Sequence, residues 1–199
     1  MKHLFPKIGI VLLLCFLAAC KPASETGKLV ATDITGADFG QTLSLIDHTG
    51  KPRTLADFKG KAVALFFGYT HCPDVCPTTM ADMKKTMKLL GSRADELQVL
   101  FVTLDPERDT QEVLAQFVPS FDARFIGLRG SVEEIAATAK AFKIFSSKVQ
   151  SEGRSAYTID HSAGMYIFDK AGIRWRLLTS YWRLTDGTGL SYLGLRSGR

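Results

Sequence analysis

The chain is short of cysteine and histidine, and it has no proline beyond Pro119. Its 199 residues include four Cys, four His and two Trp. Cys15 and Cys20 fall within or at the end of an apolar leader, so only Cys72 and Cys76 are left for a folded domain. Two cysteines four apart are no disulfide framework for a domain of this size, and they point to a site instead. Long apolar runs are also lacking. The run Ile8 to Ala19 has twelve residues, too short to span a bilayer comfortably. Neither an internal repeat nor a low-complexity stretch interrupts the chain, so one domain is the simplest organisation. Spread positive charge is missing as well. The formal +5 drops to +3 without Lys2 and Lys7, and residues 170–199 alone carry +5, which leaves the rest near −2. That balance excludes a basic nucleic-acid-binding face running through the fold.

What is present begins with the leader. Lys2 and Lys7 precede the apolar run, and Leu17-Ala18-Ala19-Cys20 closes it with small residues before a cysteine. That is the layout of a secretory signal, and the final cysteine makes it resemble a bacterial lipobox. The expectation is a lipoprotein signal peptide over 1–19, lipidation of Cys20, a tether over 20–27 and a domain over 28–178. The folded part would then sit outside the cytoplasm, on the periplasmic side, held to the membrane by its lipid.

Within the domain the patterning predicts an α/β fold. Leu43 to Asp47 and Pro52 to Leu55 flank Thr49-Gly50 as an N-terminal β-hairpin. The unbroken apolar runs Ala62–Phe67 and Leu97–Leu104 read as buried strands, with Phe125–Leu128 as a third. Met80, Met83, Met87 and Leu90 recur at helical spacing between the first two. Asp109 with Glu112, and Ser131 with Glu134, read as capping boxes for two further helices. Met165–Phe168 and Ile173–Leu178 form a second hairpin around Asp169-Lys170-Ala171-Gly172. Helical crossovers between buried strands imply a parallel central pair. Cys72 to Cys76 falls where the first core strand joins its helix, the edge at which open α/β sheets bind ligands.

Pro77 suits the first helical position, which sets Cys76 at a helix N-terminus, where the dipole favours thiolate. Thiolate is the form that ligates a soft metal or attacks a disulfide. His161 precedes the last hairpin, in a predicted loop at a sheet edge. Reductive thioredoxin-type enzymes place a cis-proline at about that point, and here none is available. An imidazole facing two thiolates would make a Cys2His set suited to Cu(I), whereas zinc wants a fourth ligand. Taken alone, a histidine before a strand reads first as a hydrogen-bonded structural residue, and spacing leaves both open.

The strings YTHCPDVCP, VTLDPERDT and IDHSAGMYIFDKAG, in this order, resemble the Sco/SenC family, with similarity from about Phe39 to Arg174. These are thioredoxin-like copper proteins that assemble the CuA centre of cytochrome c oxidase. The resemblance implies copper, as Cu(I) or Cu(II), on Cys72, Cys76 and His161, and a Cys72–Cys76 pair that cycles between dithiol and disulfide. Its implied partner is the CuA-bearing oxidase subunit, with other periplasmic copper carriers or thiol reductants as further contacts. The competing activity is thiol–disulfide exchange that reduces the CuA-site cysteines. A peroxidase reading lacks the Thr-x-x-Cys pattern.

Other residues carry weaker signals. Asp160 could orient His161 or simply turn the loop. Met80 could offer a thioether one turn past Cys76, but a Met stripe reads as core. His71 would at most modify thiol reactivity, and His48 reads as surface. The charges of Asp105-Pro106-Glu107-Arg108-Asp109 could meet a partner, although helix capping already accounts for Asp109. Members of the family close with an amphipathic helix, and Thr179–Arg199 departs from that as a basic tail rich in Gly, Ser and Arg.

Overall fold

A computed structural model describes residues 31–40, 42–150 and 156–171, together with the backbone of 175–178. The leader, the tether and the basic tail lie outside the described residues.

The central strand is β4 (Ala62–Gly68), every residue of which is buried. It runs parallel to β5 (Leu97–Thr103), and β5 runs parallel to β6 (Ile126–Arg129). On the other side β4 pairs antiparallel with β9 (Met165–Phe168), which continues into β10 (Trp175–Leu178) and β1 (Ala31–Asp33). The N-terminal hairpin, β2 (Ser44–Asp47) with β3 (Pro52–Thr54), closes the far edge against β6. Helix α1 (Val75–Leu90) links β4 to β5, α2 (Gln111–Phe117) links β5 to β6, and α3 (Val132–Ala141) follows β6. Among the described residues no helix is long and apolar enough to cross a membrane.

The continuous apolar runs follow from burial on both faces of the sheet. Ala62, Ala64 and Phe66 of β4 face Met80, Met83 and Met87 of α1 and Leu114 of α2. Val63, Leu65 and Phe67 alternate to the opposite face, against Ile135, Ala139 and Phe142. Since β4, β5 and β6 step across the sheet in one direction, right-handed crossovers put α1 and α2 on the same side. The chain is thus an α/β sandwich of thioredoxin-like form, with the expected hairpins at both ends. The methionine stripe is core, with Met80 fully buried.

Three details differ from expectation. The α3 capping box is present, with Ser131 Oγ accepting from Glu134 N at 3.1 Å and Glu134 Oε2 accepting from Ser131 N at 2.7 Å. That of α2 is not: Thr110 caps it, its Oγ1 accepting from Val113 N, and Asp109 turns inward to full burial. Pro77 is the third residue of α1 rather than the first. Two elements escaped notice, the short edge strand β1 and a separate antiparallel pair of β7 (Ser146–Val149) with β8 (Thr158–His161). Neither carries an apolar alternation, since β7 is Ser-Ser-Lys-Val with three exposed residues.

Asp47 anchors the first hairpin. Its Oδ1 accepts from Thr49 N (2.8 Å), Thr49 Oγ1 (2.6 Å) and Lys51 N (3.0 Å), and its Oδ2 from Arg53 Nε (2.8 Å). Burial alone would raise this carboxyl, but the hydrogen bonds from Thr49, Arg53 and Lys51 outweigh it and hold it well below the usual range. A depressed native pKa stabilises the fold above the unfolded value of about 4, and that contribution is lost as pH falls further. Asp47→Asn is therefore expected to cost about 2 kcal/mol in urea unfolding at pH 7, with the gap from wild type narrowing below about pH 4. A gap that stays constant down to pH 2 would refute this role. His48, expected at the surface, is half-buried instead: its Nδ1 accepts from Gly127 N at 3.0 Å and its N donates to Gly127 O at 2.8 Å.

Candidate metal centre

β4 ends at Gly68, and the chain turns through Tyr69 to Asp74 into α1. Cys72 N donates to Tyr69 O at 3.2 Å, closing the turn, and Cys76 N donates to Cys72 Sγ at 3.4 Å. Both sulfurs therefore share one side of the turn, as a spacing of four requires. Gly68 makes room for them. A Cβ there would lie 2.8 Å from Cys76 Sγ and 2.9 Å from the Phe66 ring, so a side chain at 68 would push the sulfur out of place.

His161 is the last residue of β8, not a loop residue, and pairing with Ser146 fixes its backbone. Its Nε2 lies 3.7 Å from Cys76 Sγ, and its Nδ1 lies 3.0 Å from the Ser162 carbonyl. With Nδ1–H donating to that carbonyl, the Nε2 lone pair is turned toward the sulfurs. The ring packs edge-on to Phe66 and Tyr69, at centroid distances of 6.4 and 6.0 Å. The Tyr69 hydroxyl accepts from Ile159 N at 3.2 Å, which ties β8 to the cysteine turn. Orientation of His161 thus falls to Ser162. Asp160 sits on the opposite face of β8, exposed, with no hydrogen bond to the imidazole.

The ligand atoms of Cys72, Cys76 and His161 all lie within 4.8 Å of one another, the one such group of three among the described residues. The two sulfurs differ in environment: Cys76 is fully buried and Cys72 half-exposed. Burial first, then the hydrogen bond with Cys72, pushes the Cys76 thiol up. The first-turn position favours thiolate, whereas burial of the sulfur works in the opposite direction. His71 stays out of the cluster, more than half exposed, with Nδ1 3.1 Å from Thr70 Oγ1.

Sequence reasoning missed Asp109. Its carboxylate accepts from Thr70 N (3.0 Å), Thr70 Oγ1 (2.6 Å) and Thr103 Oγ1 (2.6 Å), so it holds the turn that carries Cys72. An acidic residue at the expected helix cap gave only a capping signal. The partner that sets its role lies 39 residues away.

A family model described as SCO1/SenC matches residues 31–181. The chain is similar to the mitochondrial Protein SCO2 homolog of Bos taurus, at 38% identity over 132 residues, 65% of this chain and 50% of that protein. It spans about half the length of the curated mammalian relatives it matches. Among solved structures it is similar to Bradyrhizobium japonicum ScoI with copper bound, at 32% identity and a TM-score of 0.71, covering 79% of this chain and 99% of that one. It is also similar to a SCO1/SenC family lipoprotein from Bacillus anthracis, at 26% identity and a TM-score of 0.62, covering 77% of this chain and 93% of that one.

Proposed function

This chain belongs to the SCO1/SenC family, and we propose that it is a copper chaperone, holding the metal on Cys72, Cys76 and His161 and passing it to the CuA-bearing subunit of cytochrome c oxidase. The observation that carries this reading is two sulfurs and one imidazole nitrogen converging within 4.8 Å at the carboxyl edge of the sheet. Two soft ligands with one nitrogen suit three-coordinate Cu(I), whereas a closed zinc site wants a fourth donor.

Copper is the cargo, and the unequal cysteines suggest how it moves. Binding Cu(I) displaces the proton of buried Cys76, so a cation takes its place without leaving a bare charge in the core. Cys72 and His161 stand at the half-buried mouth. A client thiolate can add to the metal there before the bond to buried Cys76 breaks. The domain over 28–178 would stand on the periplasmic side, and the similarity to a lipoprotein of the family supports its tethering to the membrane through Cys20. Other periplasmic copper carriers or thiol reductants would restore the loaded state.

Cu(I) competition against a chromophoric chelator, on the reduced full-length protein, tests the reading. His161→Ala leaves two thiolates that still bind Cu(I) linearly, so affinity should fall on the order of 100-fold, or about 2.7 kcal/mol. The variant should also lose the Cu(II)–thiolate absorption. Equal binding by the variant, or no Cu(I) uptake by wild type, overturns the proposal.

The half-exposed Cys72 beside a buried Cys76 also suits thiol–disulfide exchange. In that reading Cys72 thiolate attacks a client disulfide and expels one client thiolate. Cys76 then attacks Cys72 Sγ, releasing the second and leaving a Cys72–Cys76 disulfide. Reduction of CuA-site cysteines undiminished in His161→Ala would favour this activity.

A further inference from the structure

One strand-to-helix loop, Asp105-Pro106-Glu107-Arg108-Asp109, has no part in the copper reading, yet it touches both ligand-bearing segments. On one side lies Asp109, fully buried, whose carboxylate holds the Thr70 amide and hydroxyl two residues before Cys72. Thr103 Oγ1, at the end of β5, donates to the same carboxylate at 2.6 Å and fixes it to the sheet. On the other side Arg108 reaches the segment leading into β8. Its Nη1 donates to Tyr157 O at 3.0 Å, and its guanidinium stacks 3.6 Å from the Tyr157 ring centroid.

Asp105, fully buried, clamps both groups, accepting from Arg108 Nε and, at 2.7 Å, from the Tyr157 hydroxyl. Burial and that hydrogen bond push the Tyr157 phenol up to about 12, so it remains a donor at any physiological pH. Arg108 Nη2 is buried without a hydrogen-bond partner among the described residues. Stacking on an aromatic face is what a guanidinium gains in such a place. Helix capping does not explain the loop, because Thr110 caps α2.

We propose that Arg108 and Asp109 are positioning residues that each brace chiefly one half of the site: Asp109 sets the cysteine turn through Thr70, and Arg108 sets the His161 strand through Tyr157. The proposal rests on the copper reading of Cys72, Cys76 and His161. Neither residue belongs to the ligand cluster; Asp109 reaches it through Thr70, and Arg108 through Tyr157 at 3.6 Å, with the Tyr69 ring a more distant second contact at 5.9 Å.

Three measurements on the full-length protein in detergent separate the arms: Cu(I) competition, the dithiol-to-disulfide ratio in a glutathione buffer, and amide hydrogen exchange. Arg108→Lys keeps the charge but loses the planar fork. It should lower Cu(I) affinity by about 10- to 100-fold and speed exchange of the β8 amides about tenfold, with the dithiol ratio within about threefold of wild type. Asp109→Asn should lower Cu(I) affinity similarly and shift the dithiol ratio at least about tenfold, near 30 mV for a two-electron couple. Its β8 exchange should stay close to wild type. If Asp109→Asn does not fold, Thr70→Ala removes the same hydroxyl arm and carries the same expectation.

Wild-type affinity and β8 exchange in Arg108→Lys overturn the proposal. So do equal shifts of all three readouts in both variants, which would mean general loosening. If wild type takes up no Cu(I), the copper reading falls, and the brace is then decided by exchange and the dithiol ratio alone.

Discussion

Cys76→Ser should bind Cu(I) at least about 1000-fold more weakly than wild type, a loss of more than about 4 kcal/mol. The substitution exchanges a soft sulfur for a hard hydroxyl oxygen that keeps its proton at neutral pH. Nothing nearby among the described residues can stand in for it. Met80 is packed into the core one turn on, and the remaining pair of Cys72 and His161 offers a single sulfur. The effect should exceed that of His161→Ala, because a dithiolate without imidazole is a competent linear Cu(I) ligand and a lone thiolate is not. The site itself should survive. Serine fits the space, and its hydroxyl can find the Tyr69–Cys72 turn, so circular dichroism and thermal melting should stay near wild type. Chelator competition on the reduced protein gives the number, and affinity within tenfold of wild type would remove Cys76 from the ligand set.

Phe101→Ala should cost about 3–5 kcal/mol, a large share of the 5–15 kcal/mol that holds a typical domain together. Phe101 is fully buried at the middle of β5, with Phe66 at 6.1 Å and Phe117 at 5.7 Å between ring centroids. It joins the central pair of strands to α2. The cavity cannot collapse easily, since it opens in a strand buried along its whole length and flanked by two other aromatic rings. For a chain of this size the loss corresponds to a fall of roughly 10 °C or more in melting temperature. Phe66 also lies edge-on to His161, so the imidazole should loosen, with a smaller drop in Cu(I) affinity than Cys76→Ser produces. Calorimetry and urea unfolding measure the first effect. A change under about 1 kcal/mol would mean that the two core layers repack around the hole.

Much of the architecture was legible because its signals are local. Ala62–Phe67 and Leu97–Leu104 are too apolar to face water on either side, and such runs separated by helical periodicity admit few topologies. Ser131 with Glu134 is a contact across three residues, so it can be read directly from the chain. Asp109 with Glu112 has the same spacing and fails, because Thr103 and Thr70 offer the carboxylate three hydrogen bonds on its inward side. The β7–β8 pair was invisible for the opposite reason: β7 is largely exposed and β8 buries only Ile159, so burial leaves too little alternation to detect.

By itself the sequence determined an α/β domain with its two cysteines at the carboxyl edge of the first core strand. Residue spacing, turn residues and apolar runs are short-range quantities. Only the tertiary structure decided that His161 joins those cysteines, 85 residues from Cys76, at 3.7 Å. It also decided that Ser162 rather than Asp160 orients the ring, that Cys76 is the buried and Cys72 the accessible sulfur, and that the 105–109 loop spans both halves. Those outcomes depend on which surfaces the folded sheet brings together, and on the burial that follows. No window along the chain contains either.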